Sequence, residues 1–133
     1  MEARFFVDEN DLAVGKRLAE AYDGVVYPGH PDLPEVPRGS LDEAWLPVVG
    51  AKRLVVITRD RKIRYRPVEK AQWLKHEVRG FVLTGRTSQS TDDSLAVLST
   101  HWPGIQDLAD ERLDGPWMFA VTADRMREID LPA

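Results

Sequence analysis

Four acidic side chains stand where a metal ion could use them. Asp8 directly follows the apolar run Phe5-Phe6-Val7 in RFFVDEND, Asp42 and Glu43 sit together in LDEAWL, and Asp60 lies just past Ile57 in VVITRDRKI. Carboxylates brought together repel and need a cation or a proton to coexist. Mg²⁺ suits such a set, because it takes oxygen ligands through a few carboxylates and keeps water and phosphate oxygens in its other positions. An ion held in this way can orient a water, lower its pKa and stabilise charge on a phosphodiester during in-line attack. Each acid also has a plainer reading. Asp8 could cap a helix, Glu43 completes a capping box with Ser40, and Asp60 could be a turn residue. Asp92, Asp93 and Asp124 fit cap, first-turn and loop positions.

This chemistry needs neither thiol nor imidazole. The chain has no cysteine, and its 3 histidines (His30, His76, His101) have no zinc-like spacing. The absence of cysteine excludes disulfides and fits a cytoplasmic protein. No apolar stretch is long enough to cross a membrane, and the N-terminal residues lack the basic-then-apolar plan of a signal peptide.

Net charge is −4 over 133 residues, and the average hides an asymmetry. From Lys52 to Arg79 ten Lys/Arg face three acids, a local +7 that leaves −11 for the rest. A basic segment in an acidic chain suits a polyanionic ligand.

The elements that must position these groups follow from pattern. Arg4–Val7, Val25–Tyr27, Leu54–Ile57, Phe81–Leu83 and Trp117–Val121 read as short strands. The uninterrupted Leu54-Val55-Val56-Ile57 is typical of a central parallel strand covered on both faces. Helices are predicted from Asn10 or Asp11 to Tyr22, from Ser40 for about two turns with Pro47 shortening them and Gly50 closing them, and from Pro67 to Val78. Two more are expected, one from Asp92 or Asp93 to Trp102 and a short one between Ile105 and Arg112. Pro28–Gly39 is a long Pro/Gly-rich loop. Alternating strands and helices predict a mostly parallel α/β sandwich formed by a single domain over residues 1–133. In such sheets ligand sites gather at the carboxyl ends of strands. Asp8 and Asp60 lie there, and a right-handed crossover would bring the first turn of the second helix, with Asp42, to the same rim.

The motifs FFVDEN, LDEAWL and VVITRDRKI, spread over Arg4 to Leu83, resemble the PIN-like nucleases, in particular the domain of VapC-type toxins of type II toxin–antitoxin pairs. The resemblance implies a three-layer PIN-like fold and a metal-dependent endoribonuclease using Mg²⁺ or Mn²⁺. It assigns catalysis to Asp8, Asp42 and Asp60, metal binding to these three with Glu43, and supporting roles to Asn10 (bracing the turn after the first strand) and Thr58 (orienting carboxylates). Arg59, Arg61, Lys62, Arg64 and Arg66 would then hold RNA phosphates without reading sequence. Tyr65 could stack a base, whereas Trp73 sits at core spacing. RNA, a cognate antitoxin and a second copy of the chain are the expected partners. The family's further Glu has only Glu35, in the Pro-rich loop, to represent it. A catalytically reduced domain acting as a protein-binding module is therefore the alternative. A receiver-like signalling domain fits less well, because Phe81–Leu83 is followed by Thr84-Gly85-Arg86 rather than Lys.

Overall fold

Each predicted strand run becomes a strand, because helices cover both faces of the sheet that the runs form. The computed structural model describes residues 2–59, 65–85 and 90–131. Its strands are β1 (Phe5–Val7), β2 (Val25–Val26), β3 (Val55–Thr58), β4 (Arg79–Leu83), β5 (Trp117–Val121) and β6 (Met126–Ile129). Its helices are α1 (Leu12–Ala21), α2 (Asp42–Lys52), α3 (Pro67–Lys75) and α4 (Thr91–Glu111). The sheet order is β2-β1-β3-β4-β5-β6, parallel throughout except for the antiparallel β6.

Alternation along the strands divides the core into two layers. On one face Phe5, Val7, Val55, Ile57, Phe81 and Phe119 pack against Val14 and Leu18 of α1 and Leu98, Trp102 and Ile105 of α4. On the other, Phe6, Val56, Val82 and Met118 meet Trp45, Leu46 and Val49 of α2 and Trp73 of α3. The result is the expected three-layer, mostly parallel α/β fold. Trp73 is fully buried, a core residue and not a surface for stacking.

The structure corrects four details of the sequence reading. The second helix does not start at Ser40 or stop early at Pro47: its N-cap is Leu41, it runs through Pro47 and Gly50 to Lys52, and Arg53 terminates it in the left-handed region at φ 57°. Burial of Trp45, Leu46 and Val49 holds this helix despite the backbone hydrogen bond lost at the proline. Pro103 likewise lies inside α4 and does not divide it in two, because the buried stripe Leu98, Trp102, Ile105 and Ala109 runs continuously past that position. The helix from Pro67 stops at Lys75 rather than Val78, and β4 starts early, at Arg79. β6, the short strand of Met126–Ile129, carries no alternation strong enough to announce itself.

Chain direction sets the position of the site. After β1 the chain adds β2 on one side and then crosses back to add β3 on the other, with α1 and α2 on opposite faces. Such a reversal opens a crevice at the carboxyl ends of the two strands that flank it, here β1 and β3.

Candidate functional site

Asp8 emerges from β1 at that switch point. It is 1% exposed. Thr58, the last residue of β3, donates its Oγ1–H to Asp8 Oδ2 at 3.1 Å. Asp8 Oδ1 is buried and has no hydrogen-bond partner among the described residues.

A 3₁₀ turn, Glu9–Asp11, follows. In a 3₁₀ turn residues i and i+3 eclipse, so Asp11 projects on the same side as Asp8. Asp11 holds the N-cap position of α1 but makes no capping bond with its side chain. Its carboxylate is buried instead, accepting the Arg59 backbone N–H at 2.8 Å on Oδ2 and the Arg59 side-chain Nε–H on Oδ1. Arg59 Nη1 also donates to Ser94 Oγ at 3.3 Å, from a fully buried serine on α4.

Burial pushes the Asp8 carboxyl well above its ordinary range. The neighbouring Asp11 carboxylate pushes it further, Asp42 adds a smaller push, and the Thr58 hydroxyl opposes them. Two ionised carboxylates cannot hydrogen-bond each other. A proton or a cation between Asp8 and Asp11 would relieve the repulsion.

Asp42 opens α2 at the same rim. It is half-buried, and its Oδ1 accepts the Trp45 indole N–H at 3.1 Å. A first-turn acid is favoured by the helix dipole, and the indole bond fixes where this carboxylate stands. Glu43 is exposed and makes no capping box with Ser40, whose hydroxyl donates to Pro37 O at 2.7 Å. Asn10 is exposed within the 3₁₀ turn. Glu35 pairs with Lys52 at 2.7 Å, an ion pair that pulls its carboxyl below the ordinary range. Lys52 ends α2, whereas Asp42 begins it about 15 Å away along the axis. Glu35 thus lies away from the acid rim.

Asp60, Arg61, Lys62 and Arg64 fall outside the described residues. Arg66 is exposed at the N-cap of α3, and Tyr65 beside it is also exposed. Arg59 is engaged by Asp11 and Ser94. Asp92 and Asp93 lie in the first turn of α4, behind the N-cap Ser90, with Asp92 paired to Arg17. Asp124 is exposed in the turn between β5 and β6.

Sequence reasoning missed Asp11, Arg59 and Ser94 as members of this cluster. The available signal was the i, i+3 spacing of Asp8 and Asp11, read as a helix cap. Among the described residues no set of three His, Cys, Asp or Glu side chains could hold a metal ion. The donor chemistry of Asp8 nevertheless fits a cation: a buried carboxylate oxygen without a donor, beside a second carboxylate and within the field of a third.

A family model for the PIN-like domain matches residues 3–85, a stretch that contains β1 through β4 and with them Asp8, Asp11, Asp42 and Arg59. Comparison with curated proteins and with solved structures gives no match. With the model covering most of the chain and an acid cluster at the strand ends, the chain belongs to the PIN-like domain family, a nuclease-type family.

Proposed function

We propose that this chain is a metal-dependent endoribonuclease, the toxin of a type II toxin–antitoxin pair, formed as one domain. The observation that carries the reading is the buried Asp8 carboxyl, whose Oδ1 has no donor among the described residues, set against Asp11 and Asp42 at the β1/β3 switch point of a PIN-like domain. Asp8 and Asp42 would hold Mg²⁺ or Mn²⁺, with Asp60 completing the set. When bound, the ion would supply an activated water and offset charge on the scissile phosphate.

The chain's own residues prepare this chemistry. Thr58 fixes the Asp8 carboxylate through Oδ2 and leaves Oδ1 for the ion. Trp45 fixes Asp42. The rim is electrostatically incomplete without a cation, because burial and neighbouring carboxylates both resist ionisation of Asp8. Basic residues in the Lys52–Arg79 segment, Arg66 among them, would hold RNA phosphates. A cognate antitoxin would cover the acid rim, and a second copy of the chain is a further candidate partner.

The test is cleavage of single-stranded RNA with Mg²⁺ or Mn²⁺ by the wild type and by Asp8→Asn and Asp60→Asn. Each variant is expected to lose more than about 100-fold in rate with an unchanged circular dichroism spectrum. Growth arrest on expression, relieved by the product of the neighbouring gene, tests the toxin assignment.

One observation favours a second reading. Asp11 is already neutralised by Arg59, and Glu35 is tied to Lys52, as expected of a reduced domain that binds protein and does not cleave. An absence of cleavage by the wild type with any divalent metal would support that reading.

A further inference from the structure

The acid cluster already contains a cation, and it belongs to the protein. Arg59 grips Asp11 twice, through its backbone N–H and its Nε–H, and its Nη1 is anchored on Ser94. Ser94 lies on α4, beyond the stretch matched by the family model. Beside this pair Asp8 Oδ1 has no donor among the described residues, in a residue that is 1% exposed. Among the described residues one guanidinium thus stands against the carboxyls of Asp8, Asp11 and Asp42.

We infer that Arg59 is the resident counter-ion of this site, and that Arg59 and a divalent cation are alternative partners of Asp11. The inference rests on the reading of the rim as a metal site. Its physical basis is direct. An ion seated on Asp8 Oδ1 is drawn to the adjacent Asp11 carboxylate, but the guanidinium there occupies that charge and repels a second cation in a water-poor setting. The Arg59 side chain is 25% exposed, so it has a route to solvent that the fully buried Ser94 lacks. The Ser94 hydroxyl holds the closed arrangement. Cation affinity is accordingly set by the free energy of releasing Arg59 from Asp11 and Ser94, and a segment outside the family match tunes it.

The experiment is a titration of Mn²⁺ into the metal-stripped full chain, read by calorimetry and by thermal shift, for the wild type, Arg59→Gln, Arg59→Lys and Ser94→Ala. A charge-assisted hydrogen bond contributes enough that Arg59→Gln is expected to bind Mn²⁺ at least about tenfold more tightly than wild type. Ser94→Ala should shift affinity in the same direction by a smaller factor, and Arg59→Lys should fall between. Arg59→Gln should also melt earlier than wild type without metal and recover when Mn²⁺ is added. Equal or weaker binding by Arg59→Gln, with measurable binding by wild type, overturns the inference and leaves the metal reading intact. Failure of every protein, wild type included, to take up Mn²⁺ overturns both. If Arg59→Gln does not fold, unchanged affinity in Arg59→Lys and Ser94→Ala overturns the inference.

Discussion

The buried Asp8 carboxyl resists ionisation. Its pKa in the folded state is raised, by burial first and by Asp11 next. Its contribution to stability is therefore complete below the unfolded carboxyl pKa of about 4 and is lost as pH rises through the folded value. Without metal, the wild-type melting temperature should fall between mildly acidic and neutral pH. Asp8→Asn should flatten that decline and gain roughly 1 kcal/mol at neutral pH, because an amide N–H can donate to a neighbouring carboxylate and carries no charge to desolvate. Differential scanning calorimetry across pH, with chelator present, measures this directly. A pH profile equally steep in Asp8→Asn would show that another group controls it. Glu35 makes the contrasting case. It is held by Lys52 and lies away from the rim, so Glu35→Gln should leave metal binding and RNA cleavage within about twofold of wild type.

At the scale of elements, close approach between the strands and α3 is met by a missing side chain. A Cβ on Gly80 would stand 2.6 Å from Trp73 Cη2 and 2.6 Å from the Val56 carbonyl oxygen. The Trp73 indole N–H donates to Trp117 O at 3.3 Å, and this bond limits how far the ring can retreat. Gly80→Ala should destabilise by about 1–3 kcal/mol, read as a lower urea midpoint at constant m-value. The strands were legible because runs such as Val55-Val56-Ile57 need both faces covered, and that requirement can be read in one dimension. Asp8 and Asp42 were legible for a related reason, each adjoining a recognisable element end. The continuity of α2 and α4 was not. Proline carries a strong local signal, and the buried stripes that override it at Pro47 and Pro103 depend on a sheet assembled from distant residues. Asp11 was hidden in the same way, since its partner Arg59 lies 48 residues away.

For the whole molecule, the family match and the physical unit differ in extent. The match ends at residue 85, yet α4 is one of two described helices covering its face of the sheet, and Trp102 on it meets the Phe5 ring at 4.9 Å and stacks on Tyr22 at 4.4 Å. At the amino end of the strands, opposite the acids, Arg79 reaches from β4 to the carbonyls of Ala109 and Arg112 near the end of α4. A fragment of residues 3–85 would expose the Phe5, Ile57 and Phe81 face to water. It should not fold cooperatively, which the absence of a sigmoidal thermal transition by circular dichroism would show.

The two borders of the sheet have a further consequence. β2 is only two residues long and buried, and β6 presents the charged Arg127 and Glu128, the latter already engaged by Arg112 at 2.9 Å. Neither border offers a long apolar ribbon on which a foreign strand could be zipped. Strand addition at either border, whether by a partner or by a second copy, is discouraged by construction.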